Sequence, residues 1–156
     1  MRLHICAVGR IRSGPERALI DDYLSRFEKT GRTHGLGAIR EHEVDERKAD
    51  SQAAEGQALL RAVPEGASLL ALDERGRQMS SPEFARFLAQ MRDRGLRDMA
   101  CLIGGADGLS TEVTGRAERM LSFGQMVWPH RLVRVMLAEQ IYRAATIMAG
   151  SPYHRA

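Results

Sequence analysis

The side chains able to do chemistry concentrate in the last third of this 156-residue sequence. Its closing stretch, SPYHRA, sets Tyr153, His154 and Arg155 side by side. They are a ring that can stack on a base, an imidazole that can take or give a proton and a permanent cation. Chain ends are usually small and polar, so this trio reads as substrate-side chemistry in preference to a frayed tail. Upstream, SFGQMVWPHRLVRVMLAEQIYRA carries His130, Arg134 and Arg143, groups suited to an anionic substrate. Arg10 and Arg12, in GRIRSGPER, suit phosphate contacts. LIGGADGLS holds three glycines within five residues, and glycine lets main-chain amides approach a ligand closely. The spacing is not that of a dinucleotide fingerprint, and no G-K-[ST] follows, so a nucleoside-triphosphate loop is excluded as well. A plain tight turn is the other reading of this stretch. The histidines and cysteines show no metal-ligand spacing, and no G-x-S-x-G or paired-carboxylate arrangement is present.

These groups need elements to hold them. RLHICAVG reads as a buried strand, and PERALIDDYLSRFEK as a helix opened by Pro15. GAIREHEV reads as a second strand towards an edge, and ADSQAAEGQALLRAV as a helix. ASLLALD is a third strand. SSPEFARFLAQMRDRG is a helix capped by Ser81, with Pro82 in its first position and Gly95 as its stop. MACLIGG is a fourth strand, STEVTGRAERML a helix capped by Ser110, and FGQMVW a fifth strand. Pro129 opens a last helix over 130–149. Strand and helix alternate throughout, which predicts an α/β fold with a parallel sheet covered on both faces. Parallel sheets bind ligands beyond the carboxyl ends of their strands, which here are GRIRSG, DERGRQMSS, GGADGLS and WPH.

On a wheel the last helix is apolar over much of its girth. Arg131, Arg134, Ala138, Tyr142 and Ala145 fall on one narrower face. No later element follows to cover that face, so the expectation is a subunit interface, with Ala138 and Ala145 allowing close approach. The formal net charge is +3 and the apolar fraction 44%, the profile of a globular chain mildly suited to an acidic partner. The length suits a single domain, 1–156. Cys6 and Cys101 lie in apolar runs and read as buried thiols. With no leader and no long apolar run, the expectation is a cytoplasmic protein without membrane association.

LIGGADGLS, SFGQMVWPHRLVRVMLAEQIYRA and the terminal PYHR together resemble the small SPOUT-class RNA methyltransferases of the RlmH type. The resemblance spans the chain, is specific in the final third and is loose between residues 10 and 65. It implies an α/β knot with a threaded C-terminal part. It implies methylation of N3 of a pseudouridine in 23S ribosomal RNA, using S-adenosylmethionine, on the assembled ribosome. It implies a homodimer packed through the last helix. Carried over by position, the cofactor pocket involves Leu72, Gly104, Phe123, Gly124, Gln125, Met126, Val127 and Trp128. His154, Arg155 and Tyr153 are then the catalytic set, and His130, Arg134, Arg143, Arg10 and Arg12 the substrate contacts, with no metal. Two other classes stay open on the residues alone: a ribosome-binding factor without turnover, and a flavodoxin-like nucleotide-binding enzyme.

Overall fold

The computed structural model describes residues 1–155. Strands β1 (Arg2–Val8), β2 (Ile39–Val44), β3 (Ser68–Gln78), β4 (Asp98–Ile103) and β5 (Arg119–Ser122) alternate with helices α1 (Pro15–Gly31), α2 (Gln52–Ala62), α3 (Ser81–Asp93), α4 (Thr111–Arg116) and α5 (His130–Met148). The strands form one all-parallel sheet in the order β2-β1-β4-β3-β5, as the alternation predicts. Because strand side chains alternate between faces, Leu3, Ile5 and Ala7 join the core under α1, α3 and α5. Cys6 and Val8 join the core under α2 and α4. Both thiols are buried, and burial pushes each up to about 12, so neither is a nucleophile at neutral pH.

Several boundaries differ from those expected. The cap of α3 is Ser80, which accepts from the Glu83 amide while the Glu83 carboxylate accepts from the Ser80 amide. This reciprocal box outcompetes a cap at Ser81. The sequence GRAERML does not stay helical: α4 stops at Arg116 and β5 begins at Arg119. FGQMVW is therefore not a strand but the connection between β5 and α5. The third strand runs past LALD, with a break in register. Leu72 and Arg77 both oppose Leu121 of β5, so the residues between them bulge out. Gly76 returns the chain to the sheet where a Cβ would collide with the Leu121 backbone.

The expected partner face of α5 is covered from within the chain. Ala138 is fully buried against Ile11 and Ile20 beside α1. Ala145 is buried in the main core. An earlier helix, not a later one, supplies the second layer that the wheel demanded. The large apolar side chains left in solvent include Met126, Val127, Trp128 and Leu132, just before and within the first turn of α5.

Candidate functional site

Three loops meet beyond the carboxyl ends of β3, β4 and β5 and enclose a cavity of about 580 Å³. Strand β3 contributes Leu72 and its bulge Asp73, Glu74 and Arg75, the glycine loop contributes Gly104 to Leu109, the end of β5 contributes Leu121 and Ser122, and the β5–α5 connection contributes Phe123, Gly124 and Met126 to Pro129. His130 and Val133 close it from α5. Leu72, Gly104, Phe123, Gly124, Met126, Val127 and Trp128 thus line one space, whereas Gln125 is exposed outside the lining. The volume is that of a small-molecule site. Its walls are mixed: Leu72, Phe123, Met126 and Val127 are apolar, while Asp73, Glu74 and Asp107 supply carboxylates. Asp73 lies below the usual carboxylate range because the Arg75 guanidinium and amide both donate to it. Sequence reasoning misses the bulge; the D-E-R-G run after an apolar strand is the only hint of it.

The glycine loop is shaped for itself as much as for a ligand. Gly105 and Gly108 form a bridge, with the Gly108 amide donating to the Gly105 carbonyl at 3.1 Å. A Cβ on Gly104 would run into the Gly108 and Leu109 backbone. One on Gly105 would meet the Glu55 carboxylate at 2.8 Å. The sequence suggests that Gly104 is needed for ligand approach; its first requirement is closure of the loop.

His130 is half-buried at the start of α5, and burial holds its imidazole below the ordinary range, with Glu46 opposing and Arg134 and Arg131 reinforcing. The ring stands close to Gly9, whose φ is +87°. A Cβ there would come within 3.1 Å of Glu46 Oε2 and 3.3 Å of His130 Nε2. Arg134, expected at the substrate, is instead fully buried. Its Nη1 donates to Glu41 (3.0 Å) and Glu43 (2.7 Å), and its Nη2 to the carbonyls of Val8 (3.2 Å) and Gly9 (2.7 Å). It fastens α5 to the ends of β1 and β2 and presents no face to a ligand. Arg10 and Arg12 lie in a second, open cleft beside the first, with Arg47 and Arg131.

The tail as described, to Arg155, does not reach the cavity of its own chain. Helix α5 spans 19 residues, or about 28 Å at 1.5 Å each. The chain then turns back along it. The Tyr153 hydroxyl donates to Glu139 at 3.0 Å, its ring lies 4.7 Å from that of Tyr142, and the Arg143 guanidinium sits 4.8 Å from its centre. Burial, then the bond to Glu139, raises the Tyr153 phenol above its usual range, so it is a donor and not a base. Arg143 grips Glu139 through Nε (2.9 Å) and reaches His154 Nδ1 at 3.5 Å. Tyr153, His154, Arg143 and Glu139 thus form one cluster, with Arg155 exposed beside it. Glu139 is itself about 13 Å along the helix from His130, and none of the described tail residues lines the cavity.

The family model described as "Predicted SPOUT methyltransferase" matches residues 1–154. A protein of Cereibacter sphaeroides named "Ribosomal RNA large subunit methyltransferase H" is 63% identical, with 99% of each chain covered. Proteins of the same name from Dinoroseobacter shibae and Ruegeria pomeroyi are 60% and 59% identical over the same share. A match along nearly the whole chain, through all three cavity loops and the tail cluster, leaves one conclusion: the chain belongs to the SPOUT methyltransferase family.

Proposed function

We propose that this protein transfers a methyl group from S-adenosylmethionine to ring nitrogen N3 of a pseudouridine in 23S ribosomal RNA, acting on the assembled ribosome in the cytoplasm as a homodimer. The observation that carries the reading is the cavity at the β3, β4 and β5 ends, in a chain whose relatives are named as large-subunit ribosomal RNA methyltransferases. The residues present fit the cofactor. Leu72, Phe123, Met126 and Val127 suit an adenine ring, loop main chain can meet its polar edges, and Asp73, Glu74 and Asp107 suit its cationic groups. When bound, it supplies a methyl group already activated on a sulfonium. The threaded knot and a single domain over 1–156 belong to the same reading, supported by the family match over 1–154.

What remains for the protein is to hold the base behind that methyl and remove the N3 proton. His154 is the base in this reading, with Arg155 facing the ring oxygens to stabilise the anion. Tyr153 stacks on the nucleotide or, in its observed place, anchors the tail to Glu139. His130, neutral at the cavity wall, is the second candidate for the proton. The tail is docked too far down α5 to serve its own cavity, so the tail of a second copy serves it. Met126, Val127 and Trp128 support this. Val127 is 81% exposed and Met126 71%, and each forgoes about 1.5–3 kcal/mol of burial unless covered. They border both the cavity and the start of α5, where a second copy would bring its tail.

Transfer of labelled methyl to ribosomes from a strain lacking the gene tests the proposal. One methyl per ribosome, located on N3 of a pseudouridine by mass spectrometry, is expected. Cofactor binding without transfer would leave a ribosome-binding factor; no cofactor binding, together with tight nucleotide or flavin binding, would overturn the methyltransferase reading in favour of the flavodoxin-like one.

A further inference from the structure

The open cleft beside the cavity has the opposite electrical character from it. Arg10 and Arg12 enter from the loop after β1, Asp45, Glu46 and Arg47 from the loop after β2, and Arg131 from the first turn of α5. Four guanidiniums face two carboxylates, whereas the neighbouring cavity holds three carboxylates and one guanidinium. Asp45 is occupied by Arg47 at 3.1 Å and by Arg10 at 3.6 Å. Arg12 and Arg131 take part in no ion pair among the described residues, and both are exposed. Arg131 is also misplaced as a matter of helix physics. The first turn of α5 carries no acidic residue and no side-chain cap. A cation there is disfavoured by the helix dipole by about 0.3–1 kcal/mol. Local conflicts of this kind are expected where function sets the residue.

We propose that this cleft binds the phosphodiester backbone of the ribosomal RNA next to the target nucleotide, with Arg12 and Arg131 as its principal phosphate contacts. The proposal rests on the methyltransferase reading above and adds to it where the strand lies. His130 adjoins Arg131 in sequence and packs near Gly9 and Glu46, so the cleft opens directly beside the cavity. A strand seated on the arginines therefore delivers an adjoining base to the cavity mouth. Separation of charge does the sorting: the cationic cofactor favours the acidic cavity and the polyanion favours the basic cleft. Phosphate contacts carry no sequence information; they fix register. The cleft would therefore position, while the cavity and tail select.

The experiment uses the full-length dimer and large ribosomal subunits lacking the methyl group. The double variant Arg12→Ala/Arg131→Ala is compared with wild type and with Arg86→Ala, an exposed arginine on α3. The expected result is a KM raised at least tenfold, cofactor affinity within twofold of wild type, and a flatter salt dependence of subunit binding. The slope of log K against log salt should fall by about 0.7–0.9 for each phosphate that the variant no longer neutralises. Arg12→Lys/Arg131→Lys should recover most of the binding, since a point charge suffices for phosphate. An unchanged KM and salt slope in the alanine double variant, with wild type active, would overturn the cleft and leave the methyltransferase reading standing. If wild type transfers no methyl group, that reading falls. The salt slope of subunit binding then decides the cleft by itself.

Discussion

Replacing Arg134 by methionine probes the densest polar junction of the molecule. The side chain is fully buried and makes four hydrogen bonds, two to carboxylates and two to main-chain carbonyls. Glu41 keeps Arg17 at 2.8 Å after the change. Glu43 keeps only the amide of Ile11, also at 2.8 Å, and so becomes a partly buried charge without a cation. Val8 and Gly9 lose their donor. Removing one partner of a buried pair typically costs about 3–5 kcal/mol. Because Glu41 stays paired, the lower part of that range, about 3–4 kcal/mol, is expected. At about 2–4 °C per kcal/mol for a chain of this length, Tm should drop by roughly 6–16 °C. The assay is urea unfolding followed by circular dichroism at one fixed protomer concentration, since association shifts apparent stability. Arg134→Lys keeps the charge but not the planar fork, and should recover only part of the loss. Adding Glu43→Gln to the methionine variant should recover part of it as well, by removing the stranded charge. A loss below 1 kcal/mol would refute the structural role. Unchanged stability together with weakened binding to ribosomes would return Arg134 to the substrate.

Deleting residues 153–156 should leave cofactor affinity within about twofold while lowering single-turnover methyl transfer by about 10²-fold or more, the scale of a lost general base; near-normal transfer would discharge the tail. Mixing that deletion with a chain whose cavity is blocked by Leu72→Arg should restore activity, because the hybrid dimer pairs an intact cavity with an intact tail; no recovery on mixing would argue against a shared site. Val127→Glu should lower the dimer's mass in light scattering, and a wild type already monomeric at working concentration would end the interface argument. Burial lowers both His130 and His42, the latter also through His4 and Arg40. Their protons therefore bind better in the unfolded chain, and the stability they hold is complete above about pH 6.5 and is lost as pH falls through the folded-state values. Urea midpoints should decline between pH 7 and 5, and a flat profile that His42→Gln does not alter would refute this. Asp98, held at about 2 mainly by the Arg2 guanidinium and then by His4, gives a second decline. Its stability is present above about pH 4 and lost towards pH 2, and Arg2→Ala should weaken that decline.

The fold was legible wherever a local pattern had one reading. Apolar runs such as HICAV and ACLI could only be buried strands, and alternation with helices then fixed a parallel sheet. The pattern failed where two elements competed for the same residues. FGQMVW has strand composition, yet RMLS takes the place in the sheet because β3 needs a partner at Leu70 to Leu72. Of the displaced apolar residues, Phe123 packs on the core, while Met126, Val127 and Trp128 stand in solvent beside the cavity. A periodicity reading cannot separate these outcomes, because it scores each segment without knowing which edge is vacant.

The helix wheel shows the same limit for the site. It identified that α5 is enclosed on two sides, which is a property of one helix. It assigned the second side to another subunit, which is a property of the whole topology. Ile11 and Ile20 already fill that side at Ala138, and exposed large apolar side chains cluster instead at Met126, Val127, Trp128 and Leu132. Likewise Arg134, Arg143 and His154 read together in the sequence because they share one segment. The structure splits them along α5: Arg134 is locked beneath the sheet edge, while Arg143 of α5 and His154 of the tail form a separate cluster, more than two helical turns from His130. A helix that begins at the cavity and ends away from it cannot carry both halves of one reaction centre in the same chain. If the tail is catalytic, it follows that the centre is assembled between chains. A monomer of this protein would then bind its cofactor and still transfer nothing.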